Sequence, residues 1–175
     1  MRVISGKYKG RKIHVESKSD YRPTLTRIRE DIFNLLLHNN DLNIDLNEII
    51  LCDLFAGTGS IGIEALSRGV KKVIFNDIEK KHTDKIEGFL KKFNEENYEI
   101  INIDPYKQKI DILDSCQLIY IDPPYNHSFE LIKKKILDKI NSNILIIYES
   151  INLTDIQNVI LLKQYKNKNL FFFRT

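Results

Sequence analysis

The sequence predicts an α/β protein with a mostly parallel, doubly wound sheet. An antiparallel C-terminal hairpin closes one edge, and a small β-hairpin and helix precede the sheet. Three observations carry this. From Glu48 onward, short β-branched runs alternate with amphipathic stretches of helical period, the pattern of successive βα units. The first run ends in Gly57, Gly59 and Gly62, spaced G-x-G-x-x-G and followed at once by a helical pattern. Near the end, residues 159–165 and 170–174 are two β-prone runs joined by Lys166-Asn167-Lys168-Asn169, which reads as a hairpin.

Taken in order, residues 2–4 and 11–15 flank Ser5-Gly6-Lys7-Tyr8-Lys9-Gly10, a basic loop whose glycines supply the turns. Residues 25–37 predict an amphipathic helix with Ile28, Ile32, Phe33, Leu35 and Leu36 on one face and Thr24 or Thr26 as its cap. A polar loop follows over 38–47. The expected sheet and its helices then run as strand 49–55, helix 60–68, strand 72–76, helix 79–93, strands 98–103 and 118–121, helix 129–140 and strand 144–149. The chain divides into a basic extension, 1–40, and a doubly wound α/β domain, 48–175, within one compact unit.

With 175 residues, 42% hydrophobic and 29% charged, one domain with a proper core is expected. No apolar run approaches about 20 residues, and the opening Met-Arg-Val-Ile-Ser-Gly lacks a signal-peptide core, so a cytoplasmic protein is expected. Cys52 and Cys116 lie in or beside apolar runs without metal-ligand spacing, so both read as buried apolar residues and no metal site is expected. The net charge of +3 hides an asymmetry: residues 1–30 hold nine Lys/Arg against three Asp/Glu, whereas 31–175 hold eighteen against twenty-one. Five of the seven arginines fall before residue 30. Such a basic arm suits phosphate backbones, and Lys7, Lys9, Arg11, Lys12, Arg22, Arg27 and Arg29 are its candidate phosphate contacts. Arg27 and Arg29 sit near a helix start, where the macrodipole disfavours cations by roughly a few tenths of a kcal/mol, so a carboxylate or phosphate partner is expected.

The candidate cofactor site begins at Asp53-Leu54-Phe55-Ala56-Gly57-Thr58-Gly59, where the glycines let backbone approach a ligand at a helix start. Asp77, followed by Ile78, ends the next strand and is placed to accept hydrogen bonds from a ribose. A nicotinamide dinucleotide and S-adenosylmethionine both meet these requirements. Asp53 favours the second, because a carboxylate there repels a pyrophosphate and attracts a cationic amino-acid moiety. Asp104, ending the third strand, is a candidate partner for an adenine amino group, although Pro105 after it also fits a plain turn.

The candidate catalytic stretch is Asp122-Pro123-Pro124-Tyr125, directly after the apolar run Gln117-Leu118-Ile119-Tyr120-Ile121. Two prolines give a stiff turn whose carbonyls lack amides of their own, so a row of acceptors stands beside a carboxylate and suits an amino group. Tyr125 adds a ring on which a base can stack, worth about 1–3 kcal/mol.

With these residues in place the chain resembles the RsmD-like family of bacterial methyltransferases, which act on the exocyclic N2 amine of a guanine in 16S ribosomal RNA. The resemblance rests on Arg2-Val3-Ile4-Ser5-Gly6-Lys7-Tyr8-Lys9-Gly10-Arg11-Lys12, on Arg22-Pro23-Thr24 with Arg27, Arg29, Glu30, Phe33 and Asn34, and on Asp53 to Gly59 with Gly62, Glu64, Ala65, Leu66, Ser67, Arg68 and Gly69. It implies a Rossmann-like class I fold, S-adenosylmethionine as methyl donor bound by Asp53, Phe55, Ala56, Gly57, Thr58, Gly59, Asp77, Ile78 and Asp104, and catalysis at Asp122, Pro123, Pro124 and Tyr125. It also implies 16S ribosomal RNA in a small-subunit particle as partner, with a monomer as the default. The chain departs from the family in three places: Asp77 stands where Glu is usual, Pro105 replaces a small residue, and Lys166 to Asn169 replace a tight glycine turn. DNA adenine or protein glutamine methylation, or non-catalytic RNA binding in ribosome assembly, are the rival readings.

Overall fold

The computed structural model describes residues 1–14, 23–124, 127–140 and 143–175. Its centre is a seven-stranded sheet of β1 (Ile50–Asp53), β2 (Lys72–Asn76), β3 (Tyr98–Ile101), β4 (Leu118–Ile121), β5 (Leu145–Ser150), β6 (Val159–Gln164) and β7 (Asn169–Arg174). The spatial order is β3-β2-β1-β4-β5-β7-β6. Strands β1 to β5 pair in parallel, and β7 lies antiparallel between β5 and β6. The order reverses between β1 and β4, which opens a crevice at their carboxyl ends where ligands of doubly wound sheets bind.

Period-two alternation sorts the strand residues to the two faces. Leu51, Val73, Phe75, Leu118, Tyr120, Leu145, Ile147 and Phe172 share one core with α1 (Pro23–His38), α2 (Ser60–Ser67) and α3 (Lys80–Lys92). Cys52, Ile74, Ile119, Ile121, Ile146, Phe171 and Phe173 face the other core, with α4 (Phe129–Lys135) and a 3-10 turn over Asp111–Ser115. Both cysteines are buried and free, and burial pushes the Cys116 thiol up to about 12.

Several expectations shift at element ends. The first helix begins at Pro23, so Thr24 and Thr26 lie inside it rather than capping it, and proline's fixed φ suits that opening position. The predicted helix over 129–140 stops at Lys135, because Ile136 adopts φ −122 and ψ −64 and the chain continues as a 3-10 turn over Leu137–Lys139. Strands β1 and β3 are shorter than predicted, while β2 and β4 match.

The N-terminal segment forms an antiparallel ribbon, with the Arg2 and Lys12 bridge flanked by Val3 N donating to the Arg11 carbonyl at 3.0 Å. Val3, Tyr8 and Ile13 are buried in the same core as the sheet. What fastens the ribbon is Glu64, fully buried on α2. Its carboxylate accepts from the Ile4 and Ser5 amides at 2.8 and 3.0 Å and from Arg68 Nε at 2.8 Å. Arg29 Nε lies 3.6 Å away. Ser67, one turn on, closes the same joint: its Oγ donates to the Ser5 carbonyl at 2.5 Å and accepts from the Tyr8 amide at 2.9 Å. Gly6 has φ +80, and a Cβ there would lie 1.7 Å from the Ser67 carbonyl oxygen, so only glycine lets the ribbon sit this close.

Removing the acid from this joint leaves the Ile4 and Ser5 amides and a buried guanidinium without their acceptor. Glu64→Ala should lower unfolding free energy by about 3–5 kcal/mol, read from urea midpoints. A loss under about 1 kcal/mol would mean the joint does not hold the ribbon.

Candidate active site

The turn from β1 into α2 holds Gly57 at φ +52 and Gly59 at φ +70, the left-handed region that L side chains avoid. Its shape is fixed from the neighbouring strand. Asp77, just past β2, accepts from the Gly57 amide at 2.7 Å through Oδ2 and from the Glu79 amide at 2.8 Å through Oδ1, with His82 Nδ1 3.2 Å away. Asn76 beside it donates to the Leu54 and Ile103 carbonyls at 3.0 and 3.1 Å and accepts from the Ile103 amide at 3.0 Å. One amide side chain therefore ties the ends of β1, β2 and β3. Sequence reasoning missed Asn76, although a polar residue closing the run Lys72-Val73-Ile74-Phe75 was a visible signal.

Asp53 is 2% exposed, and Oδ2 accepts from the Gly62 amide at 3.1 Å. Burial pushes its carboxyl up to about 7; the Gly62 amide pulls it down, and the fields of Asp122 and Asp77 push it up further. Gly62 permits this packing, since a Cβ there would lie 2.2 Å from Phe75 Cε1. Nearby, Ala56 is buried, its amide bonded to the Asn76 carbonyl at 2.8 Å, and Thr58 is half-buried in the turn. Ile78 is 60% exposed beside Asp77, and Phe55 lies 5.8 Å from the Tyr106 ring. This donor set fits S-adenosylmethionine: a buried acid for an ammonium, a second acid for ribose hydroxyls, an open glycine turn, and exposed apolar surface for adenine. Asp104 instead closes its own turn, accepting from the Tyr106 amide at 3.0 Å with Lys107 Nζ 3.3 Å away. Burial raises its carboxyl, but those two partners outweigh it and hold the group below the usual range.

At the end of β4, the pairing of Asp53 with Tyr120 sets the proline turn beside the glycine turn. The Pro124 carbonyl is taken by the His127 amide at 3.0 Å, which corrects the expectation that no amide reaches these carbonyls. Among the described residues no donor reaches the Pro123 carbonyl. The Asp122 carboxylate is 37% exposed and lines a small open cleft with Pro123, Pro124, His127, Tyr148, Glu149 and Lys168. Lys168 Nζ stands 3.7 Å from Asp122 Oδ2 and in direct contact with Glu149 Oε1. Tyr120 Oη donates to Glu149 Oε2 at 2.5 Å. Burial raises the Asp122 carboxyl, and Lys168 opposes that rise. Arg22 and Tyr125 lie outside the described residues.

The basic arm splits. Lys9, Lys12 and Arg27 are exposed and make no ion pair among the described residues. Lys7 is bound to Glu95 at 2.6 Å, and the exposed Arg11 lies over the Phe93 ring at 5.2 Å. Arg29 is a correction: it is 2% exposed, donates to the Arg2 carbonyl at 2.7 Å and faces Glu64, so its partner is the protein interior and not a phosphate.

The raised Asp53 carboxyl has a signed consequence. The folded state binds this proton more tightly than the unfolded chain, so the stability it contributes is complete below about 3.8 and lost as pH rises through about 7. Asp53→Asn should flatten the stability curve over that window, measured as urea midpoints at pH of about 4, 6 and 8. An unchanged slope would assign the pH dependence to other groups.

The family described as Conserved hypothetical protein 95 matches residues 1–172. "Ribosomal RNA small subunit methyltransferase D" of Haemophilus influenzae is 33% identical over 134 residues, covering 72% of this chain and 64%, just under two thirds, of that relative. The protein of the same name from Buchnera aphidicola subsp. Baizongia pistaciae is 29% identical over 182 residues, covering 98% of this chain and 89% of the relative. An RNA methyltransferase from Salinibacter ruber, solved with S-adenosyl-L-homocysteine, shares the fold with a TM-score of 0.63 at 14% identity, covering 87% of this chain and 93% of that one. With a methyltransferase fold throughout and the family match extending from the basic ribbon to β7, the chain belongs to the RsmD-like family.

Proposed function

We propose that this protein transfers a methyl group from S-adenosylmethionine to the exocyclic N2 amine of a guanine in 16S ribosomal RNA, within a small-subunit particle. The observation that carries the reading is the acceptor pair at the end of β4: the half-exposed Asp122 carboxylate and the Pro123 carbonyl, which no donor among the described residues reaches, set beside a glycine turn that Asp77 holds open.

An aromatic amine is a poor nucleophile because its lone pair is delocalised into the ring, so positioning dominates over base catalysis. Bound S-adenosylmethionine supplies a sulfonium methyl, whose bond to sulfur breaks with its electron pair left on sulfur as the amine lone pair forms the new N–C bond. Asp53 compensates the ammonium of the cofactor, Asp77 takes the ribose hydroxyls, and Ile78 covers the adenine. Asp122 and the Pro123 carbonyl accept hydrogen bonds from the guanine amine and aim its lone pair. The surplus amine proton leaves to Asp122 or to water. Tyr125 stacks on the extruded base. Lys9, Arg11, Lys12 and Arg27, on one exposed arm, hold phosphates without reading sequence, and Arg22 joins them by its place in the sequence.

Labelled S-adenosylmethionine offered with small subunits, naked ribosomal RNA, DNA or protein separates this reading from its rivals. Label should enter small-subunit RNA as N2-methylguanosine; label in DNA adenine or protein glutamine, or none at all, would overturn it. Asp122→Ala should cut transfer about a hundredfold while cofactor affinity holds. Lys9→Ala and Arg27→Ala should each flatten the salt dependence of RNA binding by about 0.7–0.9 in slope for every phosphate no longer neutralised. An unchanged slope would remove them from the RNA interface.

A further inference from the structure

Lys168 lies on the turn between β6 and β7, 46 residues along the chain from Asp122, yet its ammonium reaches the acceptor site. The turn is closed by the Tyr165 amide donating to the Lys168 carbonyl at 2.8 Å, and the pairing of Ser150 with Asn169 places it at the end of β5. Lys168 is 13% exposed and Glu149 is 3% exposed. A long, flexible side chain held this deep, between one carboxylate in contact and another at 3.7 Å, is fixed rather than mobile. Glu149 is fixed in turn by the buried Tyr120 hydroxyl at 2.5 Å.

The surroundings of Asp122 give that ammonium its task. Asp53 on β1, Tyr120 on β4, and Tyr148 and Glu149 on β5 are the titratable groups that the packed strands bring toward it, and His127 lines the cleft from the other side. Burial disfavours the charged form of Asp122, and negative charge on a neighbouring acid adds to that. Among the described residues lining the cleft, Lys168 is the one permanent cation. A protonated Asp122 would present a hydroxyl donor to an amine that is itself a donor, and the acceptor site would fail.

We propose that Lys168 is a positioning residue for the transfer: its ammonium, anchored by Glu149, keeps the Asp122 carboxylate ionised and available as the acceptor of the target amine. The inference rests on the function proposed above, with Asp122 as the group that grips the amine.

The test compares pH profiles of methyl transfer to small subunits for the wild type, Lys168→Met and Lys168→Arg. Removing an opposite charge at this distance should move the acid limb of kcat/KM in Lys168→Met upward by about 1 unit or more, an approximately tenfold loss on the acid side. Lys168→Arg, which keeps the charge, should retain a limb near that of the wild type. A limb in Lys168→Met that overlays the wild type would overturn the inference. Carbon NMR titration of aspartate carboxyls, with the Asp122 signal assigned by Asp122→Asn, reads the same shift without RNA or cofactor. The functional reading fails if the wild type methylates none of the RNA; the Lys168 inference fails if the Asp122 midpoint does not move. Should Lys168→Met not fold, Lys168→Met with Glu149→Gln removes the pair without stranding a buried acid; since the lost carboxylate offsets part of the effect, a smaller upward shift is expected, and no upward shift would overturn the inference.

Discussion

The Glu64 carboxylate is the contact on which the rest of the molecule depends. A fully buried acid is tolerated only where donors and opposite charge surround it; here the donors come from the ribbon and from Arg68 at the end of its own helix, and the α1 guanidinium of Arg29 adds charge 3.6 Å away. The same helix starts at the glycine turn, with Gly62 bonded to Asp53, and ends at Ser67 against the ribbon. Eight residues of helix span about 12 Å. Cofactor turn and basic arm are thus the two ends of one short rigid element. In the function proposed above, an arm fastened in this way would hold phosphates at a fixed offset from the glycine turn, which a tethered flexible tail would not do.

A second constraint is electrostatic. Parallel strands deliver their carboxyl ends to one edge, and this sheet ends three of them in acids: Asp53, Asp77 and Asp122. Each is accommodated differently. Asp77 is offset by two backbone amides, Asp53 by burial that favours its neutral form, and Asp122 by a lysine from a distant hairpin. Binding a cation shifts Asp53 toward its charged form and so takes up part of that burial cost. An edge with this much negative charge suits a positively charged cofactor and opposes a dinucleotide pyrophosphate.

What could be read from the sequence followed from local signals. β2, built on Val73-Ile74-Phe75, and the wholly apolar β4 matched their predicted bounds, and the glycine turn follows β1 as expected. Charge counting could not separate Arg27 from Arg29. Two residues apart on a helix means about 200° of rotation, so one faces out and the other in. Ile28, Ile32 and Phe33 define the inward face and were available to make that distinction. Glu64, the one charge in Ser60-Ile61-Gly62-Ile63-Glu64-Ala65-Leu66-Ser67, was likewise a visible anomaly in an apolar helix. Lys168 had no such signal. Its role depends on β7 inserting between β5 and β6, a non-local pairing that no window of sequence contains.

The geometry also divides the labour of recognition. The cleft at Asp122 offers acceptors at the end of β4, and an amine held in a stacked helix reaches them only after its base leaves the stack. Acceptors at one amine do not distinguish one guanine from another. The exposed cations of the arm do not either, since phosphates carry no sequence directly. A rigid arm at a fixed offset from the cleft selects instead by the path of the backbone: a guanine is in reach only where the phosphates flanking it run along the ribbon and the start of α1. Folded RNA in an assembled particle presents that path at few places, and an unstructured strand presents it at none in particular. For the function proposed above, selection by shape is thus the device by which one target would be told from chemically identical bases.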